Sequence, residues 1–198
     1  DEGGGARSFT ARWRTAGLDT YNLKLKDIKT GQNPDGSATI TVNAVMVFTD
    51  GTMALETVYN FNSDGETSVT YKIKLLSDFP PLARVGATFA MPASFDGITW
   101  YGRGPFESYQ DRKESAHFGL YSGKVADQYF PYVMPQENGN KTDVSWLKIN
   151  GLARGLHIES HSLMNINVQN YSQKALNASK TSHELVRGDK TYVHVDYQ

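Results

Sequence analysis

Residues 38–75 read ATITVNAVMVFTDGTMALETVYNFNSDGETSVTYKIKL, and this stretch decides the fold. Apolar side chains recur at every second position in three successive runs, which is the period of a β-strand with one buried face. The runs are separated by Asp50-Gly51 and Ser63-Asp64-Gly65, which are typical of tight turns between antiparallel strands. The stretch therefore predicts a three-stranded antiparallel meander with one side facing solvent.

Further strands are indicated on the C-terminal side of the meander, and Ser172 is placed to cap one helical turn through Ala178. Many short alternating strands with turn signals and almost no helix predict an all-β fold, a large antiparallel β-sandwich. The length of 198 residues favours one domain over residues 1–198. The further strands are expected at residues 98–101, 144–149, 155–161, 163–168 and 191–197.

The composition excludes several functional classes. A formal charge of -1 leaves no basic excess, so neither nucleic acid nor an anionic membrane is expected as a partner. No apolar run is long enough to cross a bilayer. The absence of cysteine excludes disulfide frameworks, thiolate zinc sites and cysteine nucleophiles, but leaves the compartment open.

Two segments stand out from the strand pattern because they are crowded with glycine, proline, aromatic and charged residues. Residues 100–113 read WYGRGPFESYQDRK, and residues 129–140 read YFPYVMPQENGN. We expect no regular helix or strand to explain the region 100–140, and instead predict long structured loops, which usually carry function or join parts of a protein.

The charged side chains of these loops allow two interpretations. Two of the carboxylates Glu107, Asp111 and Glu137 have the chemistry that glycoside hydrolysis requires on either side of a sugar. Arg103 and Arg112 are alternatively expected to pair with these carboxylates and so hold the loops together, which is the interpretation we favour.

The aromatic side chains of the loops are expected to pack at the end of the sandwich or to stack on a sugar, and packing is favoured for most of them. Gly102-Arg103-Gly104 lacks the third glycine of a dinucleotide site. His157, Glu159 and His161 share one strand face, and without a confirming ligand we interpret them as a polar face and predict no metal site.

The two loop motifs, residues 100–112 and 129–140, resemble the C-terminal domain of family 2 glycoside hydrolases that are β-galactosidases. Further matches follow in the family's order, and together they cover most of the chain. The resemblance implies a galactose-mutarotase-like supersandwich, the last domain of a longer retaining enzyme, so we expect a fragment truncated at both ends. The further matches are WRTAGL at 13–18, VQNYS at 168–172, HEL at 183–185 and YVHVDYQ at 192–198.

In this family the catalytic glutamates and the Mg and Na sites lie in a central barrel that this chain lacks, so the resemblance implies no catalytic residue and no cofactor here. It implies a supporting role and a share in the active-site wall. The implied partners are galactose or a β-galactoside through the parent enzyme, and other domains of the same chain in a homo-oligomeric parent, in the periplasm or cytoplasm of a bacterium. Candidates for carbohydrate binding or for a domain interface are Trp100, Arg103, Glu107, Tyr109, Asp111, Arg112, Tyr132, Glu137 and Asn138.

Two alternatives remain open at the level of sequence. A carbohydrate-binding module would expose the rings of Tyr109, Tyr129 and Tyr132 to solvent. An aldose epimerase-like enzyme would place a loop glutamate as base within reach of His157 or His161 as acid, an idea that depends on analogy between folds.

Overall fold

A computed structural model describes residues 5–197 of the chain. These residues divide into two compact units, of which the first ends at Ala83 and the second begins at Arg84. The first unit contains one short helix, α1 (Phe9–Thr15), and four strands. These are β1 (Asn22–Gln32), β2 (Ala38–Phe48), β3 (Gly51–Phe61) and β4 (Thr67–Leu75).

The four strands of the first unit form an antiparallel sheet in the order β1-β2-β3-β4. The strands of the predicted meander are confirmed as β2, β3 and β4, with Phe48 paired to Gly51 across the first turn. The buried face predicted for the third strand is wrong, because every residue of β4 is exposed. The helix α1 begins after Ser8, whose hydroxyl accepts a hydrogen bond from the backbone N–H of Ala11 at 3.2 Å. The indole of Trp13 donates to the carbonyl of Pro81 at 2.7 Å and holds the helix within its unit.

The sequence interpretation assigned no strand to residues 22–32, where the structure places β1. Leu23 and Leu25 alternate with lysines, but the register with β2 shifts between Leu25 and Asp27. A bulge of this kind inserts one residue and moves Ile28 out of the two-residue period. Because the two-residue period is broken, the sequence pattern does not predict this strand.

The second unit contains a six-stranded antiparallel sheet in the order β5-β10-β9-β8-β6-β7. A hydrophobic core covers one face of this sheet, with Trp100, Leu147 and Ile166 among its buried members. Its helix α2 is capped by Ser172, as predicted. The elements are β5 (Gly86–Pro92), β6 (Gly97–Gly104), β7 (His117–Lys124), β8 (Lys141–Asn150), β9 (Gly155–Gln169), α2 (Gln173–Ala178) and β10 (Lys190–Tyr197), with 3₁₀ turns at Val125–Gln128 and Ser182–Glu184.

Beyond the strand expected at 98–101, the prediction that no regular strand occupies the region up to residue 140 was wrong. Strand β6 continues to Gly104, and all of β7 lies inside this region. The glycines of β6 serve close packing there, because a Cβ added at Gly102 would lie 2.7 Å from the Cα of Val144 on the neighbouring strand. The two strands expected at 155–161 and 163–168 also form one continuous strand, β9.

The two antiparallel sheets confirm the all-β class. That residues 1–198 form one domain, a fragment of a longer enzyme, stays a prediction. No helix among residues 5–197 is long and apolar enough to span a bilayer.

Candidate functional site

Glu107 holds the two loop motifs together. One carboxylate oxygen, Oε1, accepts hydrogen bonds from Arg112 Nη2 at 2.7 Å and from the hydroxyl of Tyr132, while Oε2 accepts one from the backbone N–H of Gly139 at 2.7 Å. The side chain of Glu107 is 9% exposed. Burial by itself raises the pKa of this carboxyl group, but the hydrogen bonds from Gly139, Tyr132 and Arg112 and the charge of Arg112 together lower it below its usual value. Glu107 is therefore an ionised anchor.

Gly139 is required at its position in this network. Its φ is +76°, which favours glycine, and an added Cβ would lie 2.3 Å from the carbonyl oxygen of Gln128. The absence of a side chain lets its N–H reach Glu107. The second loop therefore meets the first through backbone as well as through side chains.

Asn138 joins the second loop to strand β9. Its side-chain oxygen accepts from the backbone N–H of Phe130 at 2.9 Å and from Gln169 Nε2 at 2.7 Å, and its Nδ2 donates to the carbonyl of Gln136 at 2.8 Å. Its own carbonyl accepts from Asn167 Nδ2 at 2.5 Å. Every polar atom of this buried amide is thus satisfied, as a structural role requires.

Ser108 and Asn140 form a buried clamp between the first loop and the start of β8. The Ser108 backbone N–H donates to the Asn140 carbonyl at 2.7 Å, and Asn140 Nδ2 donates back to the Ser108 carbonyl at 2.8 Å. The hydroxyl of Ser108 lies 2.9 Å from that of Thr142 and accepts from its backbone N–H at 3.0 Å. Ser108 and Asn140 lie within the two loop motifs, but the sequence analysis did not name them, or Thr142, as candidate site residues.

Arg103 has a different partner from those predicted. Its guanidinium bonds the carboxylate of Asp143 and donates to the carbonyls of Lys113 and Ala116 at 3.1 and 3.0 Å. Lys113 Nζ contacts the other oxygen of Asp143 at 3.1 Å. Arg103 therefore fixes the segment between β6 and β7, while only Arg112 pairs with one of the predicted carboxylates.

Glu137 lies in a separate polar cluster around Arg84. Arg84 contacts Asp196 at 2.6 Å and Glu137 at 3.8 Å, and Asn167 Nδ2 lies 3.4 Å from Glu137. Burial, followed by the negative charges of Asp196 and Glu107, raises the pKa of Glu137 above its usual value, against the opposing charge of Arg84. Burial likewise raises the pKa of Asp196. Glu107 and Glu137 thus differ in environment and in partners.

The remaining candidates occupy three kinds of environment. Trp100 is buried in the core, and its indole donates to the carbonyl of Arg103 at 2.9 Å. Asp111 is exposed in the turn between Tyr109 and Arg112. Tyr109 is half-buried; burial, followed by the charges of Glu137 and Glu107, raises the pKa of its phenol.

Lys141 is a buried cation that the sequence interpretation did not single out. Its ammonium donates to the carbonyl of Gly139 at 3.1 Å and lies 5.4 Å from the centre of the Trp100 ring. Burial lowers its pKa to about 8. No signal in the local sequence distinguishes this lysine from an exposed one, because its burial depends on the packing of both loops.

The outer side of the two loops exposes apolar side chains, although the loop interior is extensively hydrogen-bonded. We name this surface the loop patch; its members, with exposed fractions in the order given, are Phe106 (69%), Phe130 (50%), Val133 (95%) and Met134 (65%). By contrast, Tyr109, Tyr129 and Tyr132 are half-buried. Among residues 5–197, no three His, Asp or Glu side chains are grouped to hold a metal ion.

Comparison with known proteins agrees with the loop motifs. The family model described as "Beta galactosidase small chain" matches residues 1–198. The chain belongs to this family. It is 35% identical to a β-galactosidase of Vibrio cholerae over 193 residues, which cover 96% of this chain and 18% of the relative.

Other curated members of the family show the same relation. A β-galactosidase of Priestia megaterium is 33% identical over 94% of this chain, and one of Pseudoalteromonas haloplanktis is 31% identical over 96% of it. Each alignment covers 18% of the relative. The chain therefore spans about a fifth of the length of the relatives it matches, which carry further sequence that has no counterpart here.

Proposed function

We propose that the chain is the accessory, galactose-mutarotase-like sandwich domain of a longer, retaining family 2 β-galactosidase. In this role it supports the catalytic domain and contributes to the wall of the sugar entrance, and it does not hydrolyse galactosides alone. Any Mg or Na would belong to the catalytic domain, galactose or a β-galactoside would be bound by the complete enzyme, and that enzyme would be a homo-oligomer.

The observation that carries this proposal is the combination of a hydrogen-bonded interior with an apolar exterior in the two loops. Glu107, Asn138 and Arg103 use their polar groups on neighbouring backbone and side chains. The loop patch meanwhile exposes four large apolar side chains next to one another in sequence or in the loop network. Exposed apolar patches on ordered segments mark surfaces that bind another domain or another protein.

The bonding of the glutamates also supports a role without catalysis. Glu107 is held by three donors, including a backbone N–H, and is not free to attack or to transfer a proton. The ring of His157 packs edge-on against Trp146 at 5.9 Å, on the sheet rather than beside these glutamates. This arrangement favours the accessory domain over an epimerase, which needs a glutamate and a histidine in hydrogen-bond reach.

The test compares the effect of Val133→Asp in the 198-residue chain with its effect in the complete enzyme. Val133→Asp is expected to change the free energy of unfolding of the 198-residue chain by less than about 0.5 kcal/mol, because the side chain is exposed. In the complete β-galactosidase the same change is expected to weaken docking by about 2 kcal/mol, the magnitude typical of an interface hot spot.

Leu152→Asp is the matched control, because Leu152 is fully exposed but lies in the turn between β8 and β9, outside the loop patch. Thermal unfolding and activity of both full-length variants supply the measurement. Equal behaviour of Val133→Asp and Leu152→Asp in the complete enzyme would refute the docking role.

A further inference from the structure

The face of the six-stranded sheet opposite the core carries a row of apolar side chains. Leu120 on β7, Tyr101 on β6 and Trp146 on β8 lie directly opposite one another in the strand register. The ring centres of Tyr101 and Trp146 are 6.4 Å apart, and Phe118 meets Tyr101 edge-on at 4.8 Å. Tyr101, Phe118 and Leu120 are 40%, 49% and 65% exposed, whereas Trp146 is half-buried. We name these four residues the aromatic row, which is partly open to solvent.

A polar row borders the aromatic row on the same face. On β7, β6, β8 and β9, the positions two residues away from the aromatic row carry four polar side chains that lie opposite one another in the strand register. All of them are exposed except Thr99, which is half-buried. Lys148 Nζ lies 5.4 Å from the centre of the Trp146 ring, and Glu159 is paired with Trp146 across the sheet. The polar row consists of Ser122, Thr99, Lys148 and His157.

The arrangement of the two rows restricts the chemistry of the ligand. A purely apolar protein surface would desolvate Lys148, His157 and Glu159 without compensation, which costs several kcal/mol in total. One lysine and one glutamate leave no net charge to attract a charged polymer. A sugar ring satisfies both rows, because its C–H face packs on an aromatic ring while the hydroxyls at its edge exchange hydrogen bonds with polar side chains.

We propose that this face binds a β-linked oligosaccharide, with Tyr101 and Trp146 in contact with sugar rings and Lys148 and Glu159 bonded to hydroxyls. Neighbouring strands are about 4.8 Å apart, so the aromatic row extends over about 10 Å. This length exceeds one pyranose ring, and the ligand therefore spans at least two sugar units. The site shares no residue with the loop patch; the choice of a β linkage and of galactose units rests on the proposed function.

Calorimetric titration of the purified 198-residue chain tests the proposal. The probes are β-1,4-linked galactotetraose, the corresponding glucose tetraose and the monosaccharide galactose. Saturable binding is expected for at least one tetraose, at least about tenfold tighter than for galactose. Tyr101→Leu and Trp146→Leu, which remove rings but keep apolar side chains, are each expected to weaken tetraose binding at least about fivefold, a loss that corresponds to about 1 kcal/mol.

Tyr71→Leu is the matched control, because Tyr71 is 45% exposed but lies on β4 of the other sheet. The affinity of this variant for the tetraoses is expected to equal that of the native chain. Circular dichroism confirms folding of each variant, and Phe118→Leu on the edge strand β7 replaces any central variant that fails to fold. The proposal is overturned if the folded chain binds neither tetraose, or if binding survives loss of the rings. Self-association that Tyr101→Leu abolishes, without binding of sugar, also overturns it.

Discussion

At the scale of residues, the loops depend on one carboxylate that receives three donors. Glu107→Gln removes the negative charge and presents an amide N–H group to donors that need an acceptor. We expect the free energy of unfolding to fall by about 1 to 3 kcal/mol, the range for loss of hydrogen bonds to a charged group. Urea denaturation at pH 7 measures the change. A stability equal to that of the native chain would contradict the anchoring role.

The same carboxylate predicts a dependence on pH. Because the pKa of Glu107 is lowered in the folded chain, its contribution to stability is fully present above the unfolded value of about 4.3 and is lost as the pH falls through the folded pKa. Glu137 and Asp196, whose pKa values are raised, act in the opposite direction as they take up protons.

Comparison of native and variant chains isolates the contribution of Glu107. The difference in free energy of unfolding between the native chain and Glu107→Gln is expected to shrink as the pH falls from about 5 to about 3. Urea denaturation at several pH values over this interval provides the test. A difference that stays constant would mean that the folded pKa of Glu107 is not lowered.

Gly139 tests whether the loop network depends on a positive φ and on close packing of the backbone. Gly139→Ala is expected to destabilise the chain by about 3 kcal/mol or more, because it combines a positive φ with a steric overlap. Gly65→Ala is the control, since Gly65 has a φ of +92° but no atom within 4 Å of an added Cβ. Its expected cost is about 1 kcal/mol. Thermal unfolding of both variants should therefore separate the cost of the positive φ from the cost of the steric overlap. Equal losses of stability would show that the close packing at Gly139 contributes nothing.

At the scale of elements, Asn138 connects the second loop to β9. Asn138→Ala leaves the backbone N–H of Phe130 without its acceptor and removes one of the two acceptors of Gln169 Nε2, whose bond to the Asn138 carbonyl remains. We expect a loss of about 1 to 3 kcal/mol. Gln136→Ala is the control, because that side chain is exposed and its backbone carbonyl remains. Hydrogen exchange at Phe130 should accelerate in the first variant alone; unchanged protection would contradict this role.

The elements also show what the sequence reveals and what it does not. Strands β2 to β4 follow from a strict two-residue period, whereas the bulge after Leu25 hides β1. The glycines at 102 and 104 suggest a loop in the sequence, but they lie in strand β6. They are glycines because close contact with β8 at Gly102 and with Tyr121 at Gly104 leaves no room for a side chain. The pairing of Arg112 with Glu107 is local and was predicted, but Arg103 meets Asp143, 40 residues away, through a strand pairing that the sequence interpretation did not supply.

At the scale of the whole molecule, the chain combines two sheet units with an apolar loop patch, and it covers about a fifth of the β-galactosidases that it resembles. We propose that this part of the enzyme supports the hydrolysis of β-galactosides without performing it. The most direct measurement is the turnover of a chromogenic β-galactoside by the purified chain at high protein concentration, beside Glu107→Gln and Glu137→Gln. We expect no turnover by the native chain or by either variant. Turnover that survives repurification and disappears in Glu137→Gln would contradict it and assign a catalytic role to the loops.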